Sequence, residues 1–415
     1  PAGSLPPERV KTLSVEGVRP RLRSGRSFSA LVVDDLVPGL DRDLLEEASE
    51  AGCAVIVVDG GRTGRRWTDL GAAAVLTPDF DATALLQVLS QVAQPVRGAP
   101  SSAPSATGAL APPAPDDDVT SPLVAVTGPG GTGASTVAMA IAQHAAASSE
   151  VLLADLVLDA EHAVLHGTPD VVPGFTELVE AHRLGSPGTE SVRALTWQIG
   201  TRGYDLLLGL RRHRDWTALR PRSVALAVDG LRRAYDLVVA DVDADREGGG
   251  APGSPEVEER NVLARTAVSA ADLVVVVGTG GLKGVHALLR VIRGVLDHGV
   301  DPSRVLPLVN RAPRSPRARA ELSQAIASLA GRDPRFDTEA AGSLPTPVFL
   351  AERRHLDLLV RDVARLPDPW LRSVGAAVLG LLAPHGRPTP SVEPEPVPVA
   401  PGSLGAWLGE GGEAS

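Results

Sequence analysis

Short apolar runs alternate with amphipathic stretches along most of this chain, and the alternation predicts its architecture. In the amino-terminal part SALVVDD (29–35), AVIVVDG (54–60) and AAVLTP (73–78) are strand-length and rich in β-branched residues. DRDLLEEASEAG lies between the first two and ATALLQVLSQVA follows the third, both spaced as helices with one apolar face. Further on, LVAVTG (123–128), VLLAD (151–155), DLVVAD (236–241), DLVVVVG (272–278) and VLPLVN (305–310) are almost continuously apolar. Strands that read this way are covered on both faces, so the pattern predicts an α/β fold with a mostly parallel, doubly wound sheet. No fixed-period repeat is visible.

Composition then divides the chain. Residues 96–121 are rich in Pro, Ala, Ser and Gly, contain Asp116-Asp117-Asp118 and read as a linker. From 385 to 415 Pro and then Gly dominate, which predicts a disordered tail with Trp407 as its one anchor point. The expected organisation is therefore 1–28, an incomplete start to the first domain; 29–95, a small α/β domain; 96–121, the linker; 122–384, the large α/β domain; and 385–415, the tail. The chain opens at Pro1 without a methionine, which implies sequence upstream.

Its 415 residues exceed one ordinary core. Hydrophobic residues at 43% and charged residues at 22% suit a globular protein. No run reaches the roughly 18 apolar residues of a membrane span and no secretory leader is seen, so a cytoplasmic protein is expected. The single cysteine, Cys53, in an AGCAVIVV context, reads as a buried structural thiol, and the 9 histidines lack zinc-site spacing. Forty basic against 50 acidic residues give −10, which disfavours a general polyanion binder. Only Lys11 and Lys283 are lysine.

Candidate chemistry begins after the first strand of the large domain, with Gly128-Pro129-Gly130-Gly131-Thr132-Gly133-Ala134-Ser135-Thr136 and then VAMAIAQHAAA. Strand, glycine-rich turn and helix present successive backbone N–H groups and a helix N-terminus to a phosphate. This loop resembles that of the MinD/ParA family, the deviant Walker A ATPases, whose pattern is G-K-G-G-x-G-K-[ST]-[ST]. VLLADLVLD (151–159) resembles the family's switch I strand, YDLVVADVDAD (235–245) its Walker B strand and switch II, and LVNRA (308–312) the strand whose Asn contacts adenine. The resemblance spans 122–384 and implies a P-loop NTPase fold. It also implies a nucleotide cradle of Gly130, Gly131, Thr132, Gly133, Ser135 and Thr136 with Asn310 at the base, and Mg²⁺ near Ser135, Asp155 and Asp241.

The departures qualify it. Pro129 and Ala134 stand where the family has its two lysines, Val157 replaces the water-positioning carboxylate, and Asp243 follows the Walker B strand without the usual Pro. Phosphoryl transfer depends on positive charge and positioning around the γ-phosphate, so these changes should cost several kcal/mol in the transition state. Weak or absent binding of ATP or ADP with Mg²⁺, and a pseudo-ATPase, are expected.

Asp34-Asp35-Leu36-Val37-Pro38-Gly39-Leu40-Asp41 resembles the phosphoacceptor turn of response-regulator receivers, and LTPDFD (76–81) their last strand, with Thr77 in place of the essential Lys. On this register 29–95 is the second half of a receiver, and Asp34 reads first as a helix cap. A degenerate receiver, a linker and a MinD-like domain together resemble the CpaE/TadZ family. The Arg-rich, Lys-poor composition points to its actinobacterial group, sometimes named septum site-determining proteins. That resemblance implies a positioning or scaffold protein for Flp/Tad pilus or secretion assembly, or for septum placement. Its partners would be proteins of that machinery, with a homodimer, peripheral membrane association through partners and a polar or septal location implied. The alternatives are an ATP-dependent dimerising switch and a DNA-associated partitioning factor.

Arg311, Arg314, Arg317 and Arg319 beside Glu321, and Arg211, Arg212, His213 and Arg214, read as solvated surface rather than a nucleic-acid face. PDPWLRSVGAAVLGLLAP (367–384) lacks the basic polar face of a membrane-surface helix and reads as core. Lys283 follows the strand 272–278 and is expected to stay out of the crevice.

Overall fold

A computed structural model describes residues 14–23, 26–93, 120–247, 259–331 and 344–382. Lys11, most of the linker 96–121 and the tail with Trp407 lie outside the described residues. The chain is α/β, and its described strands form two sheets, one of three strands and one of eight.

In the small sheet β1 (Ala30–Asp34), β2 (Ala54–Val58) and β3 (Ala74–Leu76) pair in parallel and in chain order. The helix Arg42–Glu50 starts where its Asp41 cap accepts from the Leu44 N–H at 2.9 Å. It buries Leu44, Leu45 and Ala48 against Val55, Val57 and Trp67. A helix at Val15–Arg23 adds Val15 and Val18 to the same core. The residue pattern predicts no element there, because Pro20 falls inside the helix.

The large sheet holds β4 (Leu123–Thr127), β5 (Val151–Leu156), β6 (Trp197–Ile199), β7 (Tyr204–Leu207), β8 (Leu237–Val242), β9 (Leu273–Thr279), β10 (Val305–Ala312) and β11 (Val348–Ala351). Their order is β11-β10-β9-β4-β8-β5-β7-β6, parallel except for the β6–β7 hairpin. β4 is fully buried, Leu123 and Ala125 facing one apolar layer and Val124 and Val126 the other, as a doubly wound strand requires. The four valines 274–277 of β9 are each 0% exposed, and each contributes roughly 1.5 kcal/mol or more by leaving water.

The segment 367–384 forms the helix Asp368–Leu382, which packs Trp370, Leu371, Val374 and Val378 beside the helix Ala134–Ala145 over one sheet face. No helix among the described residues is long and apolar enough to cross a membrane. The chain passes from β4 to β5, then sets β8 between them and returns to β9 on the other side of β4. Sheet order therefore reverses at β4, and the crevice at the carboxyl ends of β4, β8 and β5 is the expected ligand position.

The two sheets' units are joined by polar contacts. Arg183 bridges Asp41 and, at 2.9 Å, Asp43. The Ser223 hydroxyl donates to Asp43 at 2.6 Å, and Arg42 donates to the Ser186 hydroxyl at 3.2 Å. Burial, offset by Ser223 and Arg183, still leaves the Asp43 carboxyl above its ordinary range.

Candidate functional site

The glycine-rich loop follows β4 and enters the helix Ala134–Ala145, which has left-handed Gly133 (φ 88°) at its N-cap. A Cβ on Gly133 would lie 2.7 Å from the Asn310 amide nitrogen, and a Cβ on Gly128 2.3 Å from the Val277 carbonyl oxygen. Both positions admit only glycine without a shift of backbone or loop. Gly131 is also left-handed (φ 77°), and neither it nor Gly130 has an atom within 4 Å of a Cβ position, so this stretch of the loop is open. Thr132 turns inward, its hydroxyl donating to the Pro129 carbonyl at 2.7 Å. Ser135 and Thr136 are half-buried in the first helical turn.

The resemblance assigns Asn310 to a base, but its amide is engaged by the loop instead. Nδ2 donates to the Thr132 carbonyl at 2.9 Å, and Oδ1 accepts the Arg311 N–H at 2.8 Å. That second bond accompanies a left-handed Arg311 (φ 51°), rare for a residue with a Cβ, and Nη1 of Arg311 donates to the Gly131 carbonyl at 3.2 Å. Where Pro129 and Ala134 supply no cation, the left-handed end of β10 sets an exposed guanidinium at the loop. Beside it an open cleft of 1160 Å³ is lined by Gly280, Gly281, Arg314, Arg353 and Arg354 among others. Of the remaining arginines, Arg317 pairs with Glu321 at 3.0 Å and Arg319 donates to the Pro313 carbonyl. Lys283 is exposed on the helix Leu282–Asp297.

At the end of β5 and β8, Asp155 and Asp241 stand opposite each other in register and each is 1% exposed. The resemblance groups them with Ser135 around Mg²⁺; the structure sets a histidine with them. The Nε2 of His162, itself 1% exposed, donates to Asp241 Oδ2 at 3.0 Å, and its backbone N–H donates to Asp155 Oδ2 at 2.9 Å. Burial raises the Asp155 carboxyl to about 6, against the pull of His162. His162 is driven down by burial, but Asp155 and Asp241 outweigh that and hold it above its ordinary value.

A second layer holds the backbone that carries this ring. Nδ1 of His166 donates to the His162 carbonyl at 2.8 Å, so Nε2 accepts the Tyr204 hydroxyl at 2.7 Å. Burial lowers His166 to about 3 and raises Tyr204 to about 12, so both are neutral. Asp243 accepts the Leu158 N–H at 2.8 Å, and its carbonyl accepts the Thr127 hydroxyl, tying the segment after β8 to the one after β5 and to the last residue of β4.

The two halves of the site answer differently to a nucleotide with Mg²⁺. The loop fits a phosphate, because its amides follow glycines with open space beside them. The carboxylate pair does not fit the metal: Asp241 is taken by His162, and among the described residues no three His, Cys, Asp or Glu side chains are arranged to hold an ion. His162 was not singled out from sequence. Its signal is weak, a histidine seven residues past a strand-end Asp.

In the small unit Asp34 accepts the Leu36 N–H at 3.0 Å and lies 3.5 Å from Arg62, which also reaches buried Asp35 at 3.2 Å. Cys53 is buried, and burial pushes its thiol up to about 11.

No family model matches the chain, and no curated protein matches it. Among solved structures it is similar to a plasmid partition protein from Borrelia burgdorferi B31 bound to AMPPNP, at 13% identity over 64% of this chain and 100% of that one, TM-score 0.47. It is likewise similar to a ParA family ATPase from Chlorobium tepidum (13% identity, 62% and 98% covered, TM-score 0.49). The cell division ATPase MinD from Pyrococcus furiosus aligns at 14% identity, with 63% and 99% covered and a TM-score of 0.44. At this distance the reading of the site rests on its own residues.

Proposed function

We propose that this chain is a positioning or scaffold protein of MinD/CpaE-like type whose phosphate loop senses or holds a nucleotide without turning it over. The reading extends to Flp/Tad pilus or secretion assembly, or septum placement, with protein partners from that machinery. The observation that supports it is the loop itself. Its glycines at 130 and 131 leave open space beside the loop, yet Pro129 and Ala134 place no ammonium there, and Asn310 and Arg311 are bonded to its carbonyls. Charge at the γ-phosphate and a carboxylate for water are what turnover requires, and Val157 offers none. The unit 29–95 then acts as a degenerate receiver held to the large unit through Asp41, Asp43 and Arg183.

Phosphate release from ATP by the purified chain should stay at background. Turnover that survives further purification and disappears in Asp241→Ala would overturn the non-catalytic reading. Nucleotide binding, followed by titration with a fluorescent ADP analogue, should be lost in Gly133→Val. Unchanged affinity in that variant would place the nucleotide away from the loop.

A further inference from the structure

We infer that His162 is a built-in substitute for the divalent cation: its imidazole holds Asp241 and its main-chain N–H holds Asp155, filling the strand-end carboxylate pair, and phosphate binding at the loop is independent of metal. The second half of this statement rests on the nucleotide reading above; the first does not.

Three observations carry it. Asp155 and Asp241 are register partners on adjacent parallel strands and both are buried, the arrangement in which two carboxylates demand a cation or a hydrogen-bond donor between them. His162 supplies donors to both, from Nε2 to Asp241 and from its main chain to Asp155. The backbone that carries the ring is held in place: the His162 carbonyl is bound by His166, which Tyr204 holds from β7. A metal entering here would have to displace a buried hydrogen bond and the five-residue helix His162–His166 that carries it. The pair is still incompletely satisfied, since Asp155 Oδ1 and His162 Nδ1 are buried without a partner. Removing the imidazole therefore leaves Asp241 Oδ2 without its donor beside the unpartnered Asp155 Oδ1, and a hard divalent cation is the ligand that oxygen pair takes.

Mn²⁺ alone, titrated into the metal-stripped full chain and followed by the loss of its free electron-paramagnetic signal, tests the first half. The parent should show no site that depends on Asp241. His162→Ala should gain one site per chain, abolished when Asp241→Asn is added, with near-ultraviolet circular dichroism checking the fold. If His162→Ala does not fold, His162→Ser takes its place with the same expected gain of one Asp241-dependent site, and a folded His162→Ser that gains none would equally overturn the inference. A Mn²⁺ site in the parent that Asp241→Asn removes, or a folded His162→Ala that gains none, would overturn the inference. The second half is read from the fluorescent ADP analogue in Mg²⁺ and in EDTA. Affinities within about twofold are expected, and a loss of about tenfold in EDTA would overturn it. Absence of binding in both buffers would refute the nucleotide reading and with it this half, while the Mn²⁺ result decides His162 separately.

Discussion

The loop 128–136 and the pair Asp155/Asp241 stand at the ends of neighbouring strands, yet one has the form of a phosphate site and the other is closed by a histidine. The loop's recognition groups are backbone amides, and only the glycines at 128, 131 and 133 are needed to hold them in place. The pair's chemistry resides in side chains, where one neighbour with the right donor can take over both carboxylates. A backbone site therefore needs only the chain's path, whereas a buried carboxylate pair takes whatever neighbouring donor satisfies its charge.

Asp241→Ala is the largest break in this comparison. In an empty metal site, deleting one of two buried carboxylates relieves repulsion and stabilises the protein. Here it strips His162 of its acceptor, so a loss of about 3–5 kcal/mol is expected, read by urea unfolding in EDTA. A stabilised variant would return the pair to the metal-site class.

The support behind His162 gives the next effect. His166 is held near 3 against an ordinary 6.5, so its contribution to stability is full above 6.5 and is lost as pH falls toward 3. His162 and Arg202 add repulsion to any charge placed there. Across two units of that window the parent should lose about 2–3 kcal/mol more than His166→Gln. Parallel pH profiles would mean that water reaches His166 and that the ring behind the pair is not dry.

How the two regions read in sequence follows the same division. Runs such as LVAVTG and DLVVVVG announced β4 and β9, because burial on both faces leaves no polar residue to blur them. The hairpin β6–β7 and the edge strand β11 escaped. WQI has three residues, and VFLA follows a proline in a stretch with no periodic signal. The helix 15–23 was hidden by Pro20. The glycine loop was legible because its signal is contiguous. His162 was not, since its meeting with Asp241 joins positions 79 apart through the insertion of β8 beside β5. Arg311 was counted among the surface arginines because a left-handed strand end leaves no mark in composition.

The smallest effect asks whether the loop is still the site it resembles. Pro129→Lys with Ala134→Lys restores both ammonium groups. The Pro129 carbonyl, which holds the Thr132 N–H and hydroxyl, survives the change because it belongs to the backbone. Without ligand the double variant should be less stable by about 1–2 kcal/mol, through the lost proline constraint and a cation at a helix N-terminus. With ADP the balance reverses: each ammonium gains charge-assisted bonds to phosphate, so affinity should rise about tenfold, near 1.4 kcal/mol, and the thermal shift on adding ADP should grow with it. The gain should be equal in Mg²⁺ and in EDTA, because His162 still holds Asp241. Hydrolysis should stay at background, since Val157 gives water no carboxylate. A double variant that folds but binds ADP no better than the parent would show that Asn310 and Arg311 have drawn the loop out of phosphate geometry. The backbone half of the site would then be as thoroughly rebuilt as the side-chain half.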